Sequence, residues 1–421
     1  MGPAAATARP RVRVRGDGVL RSITTIGADA VPQSDLTAPL RLVTVIRPYD
    51  WGSVSALPEL FGTEPTGEPQ AELWMGAHPG APSLAGGVPL NELIARDPVA
   101  ALGERTAARF GAALPYLLKV LAIERPLSLQ VHPTAEQARA GYAAETARGI
   151  PLDDFARTYK DASHKPEMVC AVTPFHGLCG FRDPAATADL LDGLGVPGLA
   201  PWIATLRGAE PARAVREVFA AMLDDAARPL RAEIERALLD RHDGDQAVYG
   251  DIARAYPGDP GIAAALLLNH VSLRPGEALY LGAGVPHAYL GGIGVEIMAN
   301  SDNVLRCGLT SKHVDVPELM RVVDFAPSEP FLVEPAHEGA YAYRPPAAEF
   351  GLTRYELTGE EAAVLPGGVP QIVLCVEGEG RLGDELTLRP GQSAFVPAAV
   401  PSMLLSGKGT IYRAQPGDFT M

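Results

Sequence analysis

"LRPGEALYLGAGVPHAYL", residues 273–290, aligns without a gap to "LRPGQSAFVPAAVPSMLL", residues 388–405, with eight identities in eighteen positions. Both copies carry the marks of a strand entered and left through turns: Pro and Gly punctuate short runs of apolar residues. A pattern that recurs 115 residues later reads as two copies of one β unit. The two differ where chemistry would sit, because His287 of the first copy aligns with Ser402 of the second.

Working outward from this repeat, the chain alternates between two characters. "LRLVTVIRPY", "AELWMGAH", "YLLKVLAI", "LSLQVH" and "EMVCAVT" are short β-type runs, and strands resume at "HVSLRPGEALYL". Between Asp183 and about Leu267 the period changes to that of helices, in "PARAVREVFAAMLDDA", "RPLRAEIERALLD" and "VYGDIARAY". "TAEQARAGYAAETARG", between two strand runs, also reads as a helix. The expected fold is mainly β with a helical insert.

The chain has 421 residues, 47% of them hydrophobic, which is enough for two or three cores. A net charge of −14 disfavours nucleic acid and anionic membrane surfaces as partners. The four cysteines, Cys170, Cys179, Cys307 and Cys375, form no CxxC pair and read as buried thiols of a reducing compartment. No run approaches the ~20 apolar residues of a membrane span, and the first 20 residues lack the apolar middle of a signal peptide. A cytoplasmic protein is expected, with residues 1–38 as a disordered extension.

"LSLQVHP", residues 127–133, holds a second clue. Side chains two apart on a strand share a face, so Gln130 and His132 point together while Leu127, Leu129 and Val131 point the other way. A buried amide and imidazole need partners, since leaving each unsatisfied costs roughly 1–3 kcal/mol. Taken alone, such a pair reads as a hydrogen-bonded structural pair.

The rest of the chain changes that reading. The repeated unit resembles the second motif of the cupin superfamily, G-x5-P-x-G-x2-H-x3-N. Gly276, Gly284 and His287 stand at the right spacing, with Gly282 for the proline and Gly291 for the asparagine. In the other cupin motif, Gln130 takes the place of the first histidine and His132 the second, while Glu167 of "HKPEM" supplies a carboxylate 35 residues on. In the second copy Gly391 and Pro397 are kept, but Ser402 replaces the ligand, so that barrel is expected to hold no metal.

Seven stretches, in order, are similar to type I mannose-6-phosphate isomerases: "YDWGS", "AELWMGAHP", "YLLKVLAI", "PLSLQVHP", "HKPEM", "VPHAYLGG" and "SDNVLRCGLTSKHVDVPEL". They span most of residues 40–325. The resemblance implies a bicupin of two jelly-roll-like β-barrels plus an α-helical domain. A catalytic cupin domain would occupy 39–182 and 269–325, helices 183–268, and a metal-free barrel 326–421.

It further implies one Zn²⁺ per chain on Gln130, His132, Glu167 and His287. Arg306 would be catalytic; Lys165 and Asp302 are rival candidates for proton transfer; Ser128, Lys119 and Lys312 would line the sugar-phosphate pocket. The donor set suits zinc and, less selectively, Fe²⁺, Mn²⁺ or Co²⁺. The implied reaction is reversible isomerisation of D-mannose 6-phosphate and D-fructose 6-phosphate through an enediol, in carbohydrate metabolism, by a monomer with higher oligomers left open. The rival readings are a non-catalytic sugar-binding cupin and an iron dioxygenase, which would normally carry a histidine where Gln130 stands. His164 and His313 flank the site in sequence and stand as possible lining residues.

Overall fold

The computed structural model describes residues 25–26, 35–242, 246–337 and 340–417. The expected extension, 1–38, lies outside them except for 25–26 and 35–38. Thr25 and Ile26 form a two-residue strand paired with Val45 and Thr44. The chain divides into two compact units, one of residues 1–114 and 354–413, the other of 115–353 and 414–421.

All candidate site residues fall in the second unit, and one strand organises it. His287–Ala299, 13 residues long, pairs antiparallel with Tyr116–Ile123 and Glu167–Ala171 along its second half. Along its first half it pairs with Phe175–Phe181 and, at His287, with Gln130. The change of partners occurs at a register shift between Tyr289 and Gly291. Next to it Gly292 has φ 110°, and a Cβ there would lie 2.5 Å from the Pro174 carbonyl oxygen, so only glycine fits the bend.

The flanking strands follow from composition. Tyr116–Ile123 and Glu167–Ala171 are buried at every position and read as continuous apolar runs, interrupted only by Lys119 and Glu167. Leu129–Val131 joins His287–Ala299 on one side and Leu305–Gly308 on the other, with Arg306 opposite Gln130. Ala278–Leu281 closes against Glu167–Ala171.

Helices from Pro184 to Ala265 cover the back of the strands at 129–131 and 175–181. Two of the starts are set by local chemistry: Asp183 caps Pro184–Asp192 and Glu210 caps Pro211–Leu223, both with proline in the first turn. Pro211–Leu223 buries Ala214, Val215, Val218, Phe219 and Met222, a stripe at helical period. Phe219 meets Phe181 and Phe325 with ring centroids 5.7 Å away in each case. Leu129 and Val131 belong to this apolar core, which leaves Gln130 on the opposite face of its strand. The stretch read as a helix at 134–149 is one, Ala135–Ala147, opened by a Thr134/Gln137 capping box.

In the first unit, Leu40–Arg47 alternates buried and half-buried positions, as a half-covered strand should. It pairs with Glu72–Gly76 and with Ser393–Val396, where Leu40 faces Phe395. Ser393–Val396 also pairs with Gln371–Leu382.

The two repeat copies are built alike, bond for bond. The Gly276 amide donates to the Ala171 carbonyl and the Ala171 amide to the Glu277 carbonyl; Gly391 and Cys375, then Cys375 and Gln392, repeat both bonds. Gly276 and Gly391 have φ of 88° and 78°. Strands of 13 residues follow in both cases, one starting at His287 and the other, Met403–Gln415, just after Ser402.

No helix among the described residues is long and apolar enough to cross a membrane. All four cysteines are buried thiols. The bend in the shared strand is testable. Gly292→Ala is expected to lower unfolding free energy by at least about 1 kcal/mol, because both torsion and space are wrong for a Cβ. A urea melt with an unchanged midpoint would show that the strand does not need this bend.

Candidate metal centre

His132, Glu167 and His287 converge from three strand regions with their donor atoms all within 4.8 Å of one another. Each is at most 1% exposed. His132 Nε2 lies 3.3 Å from Glu167 Oε2, and His287 Nε2 lies 3.1 Å from Glu167 Oε1. Both imidazoles are oriented from behind. His132 Nδ1 donates to the Asn303 carbonyl at 2.8 Å, and His287 Nδ1 donates to the Val285 carbonyl at 2.9 Å.

Those two bonds fix the tautomers, leaving each Nε2 with a lone pair that faces a carboxylate. Acceptors facing acceptors in a buried space call for a cation. His287 Nε2 accordingly makes no hydrogen bond of acceptable geometry despite its 3.1 Å approach. Ligand atoms around a tetrahedral zinc with bonds of ~2.0–2.1 Å lie about 3.3 Å apart, which the His132–Glu167 spacing matches. The residues present therefore fit a divalent cation held by nitrogen and oxygen.

Electrostatics agree. Burial, then the Lys165 charge, holds His132 down to about 4, so the imidazole is neutral as a ligand must be. Burial alone would raise Glu167, but the Lys165 ammonium together with the charge and hydrogen bonds of His132 and His287 outweighs it and keeps the carboxyl well below the usual carboxylate range. Lys165 Nζ lies 3.2 Å from His132 Nε2 and donates to Glu167 Oε2. Tyr289 donates to Glu167 Oε1 at 3.4 Å, and burial raises its phenol so that it keeps this proton.

The other sequence candidates are spread around this core. Gln130 is half-buried, paired across the strands with His287 and Arg306. Arg306 is half-buried beside it, and burial pulls its guanidinium below its ordinary value. Ser128 is half-buried just ahead of the strand, while Lys312 is exposed. Asp302 is exposed too, with its amide bonded to Asp161 Oδ2 at 2.8 Å. His164 binds Glu349 at 2.8 Å, and His313 sits against Phe155 with ring centroids 5.9 Å apart.

Lys119 is buried in an ion pair with Glu296 at 3.0 Å, the residue facing it across the strands. Glu296 in turn lies beside the Tyr289 hydroxyl, which donates to Glu167. Sequence reading passed over Glu296, although a carboxylate inside the apolar run "GVEIMA" was a visible signal.

Asn303 was missed as well. Its fully buried amide accepts the Lys160 amide at 2.7 Å and donates to the carbonyls of Asp161 and Ser163, each at 2.8 Å. It thereby ties the loop before Lys165 to the carbonyl that orients His132.

A buried carboxylate between two imidazoles, held by β strands, is a donor set of the class that can bind a divalent cation. Comparison with known proteins sharpens this. The profile "Phosphomannose isomerase type I, catalytic domain" matches residues 40–184, and "Mannose-6-phosphate isomerase, cupin domain" matches 344–416. The chain is 41% identical to mannose-6-phosphate isomerase of Escherichia coli over 390 residues, covering 89% of this chain and 98% of that one. It is 33% identical to the Homo sapiens enzyme, with 80% and 87% covered.

A solved zinc-bound mannose 6-phosphate isomerase superposes with TM-score 0.84 at 38% identity, covering 90% of this chain and 100% of that chain. The apo form from Salmonella typhimurium gives 0.84 at 39%, covering 90% and 99%. The chain belongs to the type I mannose-6-phosphate isomerase family.

The Lys119–Glu296 pair can be tested for mutual dependence. Removing one partner leaves the other buried charge under-compensated, so Glu296→Ala is expected to cost about 3–5 kcal/mol in unfolding free energy. Lys119→Met with Glu296→Leu should cost less than either single change. Additive losses in a double-mutant cycle would mean that the two charges do not depend on each other.

Proposed function

We propose that this chain interconverts D-mannose 6-phosphate and D-fructose 6-phosphate through an enediol, with one zinc held by Gln130, His132, Glu167 and His287. The observation that carries the reading is the buried His/Glu/His cluster with the Lys165 ammonium 3.2 Å from one of its nitrogens. Zinc, when bound there, supplies a Lewis acid for negative charge developing on the sugar oxygens.

The residues divide the remaining work. Going from aldose to ketose, a proton leaves C2 while O1 takes one up, giving the C1–C2 enediol; a proton is then added at C1 while O2 loses its own, giving the ketone. Lys165 Nζ is the side chain we assign to moving the carbon-bound proton, taking it from C2 as the neutral amine and returning it at C1 as the ammonium, since it stands among the ligands while Asp302 is exposed. A dissociable proton held beside the reacting carbons is what general acid–base catalysis needs. Arg306, opposite Gln130, places a permanent cation beside the sugar oxygens. The phosphate is assigned to Ser128, Lys119 and Lys312. The exposed Lys312 would meet it at the mouth, and Lys119 would contribute from within its pair with Glu296.

We further infer a bicupin: the bond-for-bond equivalence around Gly276 and Gly391 supports two barrels of common design. The copy carrying Ser402 offers no imidazole and would be metal-free.

Incubation of the zinc-loaded protein with fructose 6-phosphate in D₂O should yield mannose 6-phosphate carrying deuterium at C2, read by NMR. No conversion with zinc bound would instead favour a sugar-binding role. Chelation should abolish turnover and zinc should restore it, with about one zinc per chain.

Two substitutions separate holding the metal from using it. His132→Ala is expected to lose zinc and activity together. Arg306→Ala should keep zinc and lose on the order of 10²–10³ in kcat, comparable with removing one preorganised donor. A rise in KM at constant kcat would reassign Arg306 to phosphate binding.

A further inference from the structure

Asp259 stands outside every motif described so far, at the end of the helical stretch, in "GDPG". Its Oδ1 accepts the amides of Gly261 and Leu309, both at 2.7 Å, and its Oδ2 accepts the Thr310 amide at 3.1 Å. One carboxylate thus joins the start of Gly261–Ala265 to the chain leaving Leu305–Gly308, the strand that carries Arg306.

That exit is irregular. The strand slips register between Arg306 and Gly308, and its ladder with Leu129–Val131 ends where Gly308 meets Leu129, so it does not settle the backbone beyond Gly308. Leu309 then has φ 54°, the one positive value outside glycine among the described residues, and its side chain is buried in the core beneath the helices. A branched apolar residue does not adopt this conformation unaided, and the two charge-assisted bonds to Leu309 and Thr310 hold it.

The approach is also close: a Cβ on Gly308 would lie 2.5 Å from Gly261 Cα, and one on Gly261 would lie 2.6 Å from the Leu309 nitrogen. Beyond the turn, Thr310 Oγ1 accepts the Lys312 amide at 3.0 Å. The chain from Arg306 to Lys312 is therefore pinned at its middle by a residue 47 or more positions earlier.

We infer that Asp259 is a positioning residue for the isomerase, holding the aim of Arg306 on one side of the turn and of Lys312 on the other. This rests on the functional reading above. Asp259 touches no metal ligand, so its effect should fall on turnover and leave zinc in place.

The test compares wild type, Asp259→Ala, Asp259→Asn, Arg306→Ala and the double variant Asp259→Asn/Arg306→Ala, all zinc-loaded. Bound zinc, kcat and KM for mannose 6-phosphate are read on each. Asp259→Ala should keep its zinc and lose about 10- to 100-fold in kcat, the scale of a misplaced catalytic group. Asparagine can still accept the Gly261 and Leu309 amides but turns an NH₂ toward Thr310. Asp259→Asn should therefore lose about 3- to 10-fold in kcat, the worth of a single hydrogen bond, and it decides the matter if the alanine variant does not fold.

In the Arg306→Ala background the same asparagine should change kcat by less than about 2-fold, since the turnover part of the positioning runs through Arg306 and any remaining effect, through Lys312 on the phosphate, should fall on KM. A general loss of structure would lower both backgrounds alike, and that outcome overturns the inference. So does a folded Asp259→Asn with wild-type kcat and KM. Wild-type protein without turnover would overturn the isomerase reading and this inference with it.

Discussion

A carboxylate buried to 1% exposure between two imidazoles is the constraint on which the site is built. An isolated buried charge costs several kcal/mol, so Glu167 can stay ionised only if cations and donors surround it. Lys165 and Tyr289 do part of this within the chain. The imidazoles add two lone pairs pointed inward, which increases the demand for positive charge. The folded protein therefore creates a place where a divalent cation relieves an electrostatic conflict.

The same demand organises the surrounding layer. Tyr289 passes from Glu167 to Glu296, and Glu296 to Lys119, so a buried polar line crosses an otherwise apolar sheet. Every member has a partner, the condition under which such networks stabilise rather than weaken a core. Asn303 does comparable work with its backbone carbonyl on His132 and its amide on the loop before Lys165.

Where the sequence was legible, sidedness explains why. Alternation in "LSLQVHP" separates Leu129 and Val131, which join the helical core, from Gln130 on the other face. The short strands and the helices after Asp183 were visible as periods, and the mainly β character with added helices followed. Fine choices on loops were not legible. In "SDN" the sequence offers two polar neighbours, and it is Asn303 that turns inward while Asp302 faces solvent. Alternation has no meaning where there is no strand. Nor could periodicity reveal that Leu40 pairs with Phe395, or that Asp259 holds the turn at Leu309, since both contacts join distant segments.

The shared strand, His287–Ala299, also governs the order in which this protein can assemble. It presents His287 to one set of partners and Met298 to Glu167 across another, so the two ligands come together only when both sets have formed. Asn303 and the His132 ring it orients are 171 residues apart, and closing loops of that length precedes any reward from the contact. The cation site is thus a late product of folding rather than its nucleus. A nascent chain would have to complete this unit almost to its end before it could retain a metal, and premature capture by scattered histidines would be weak.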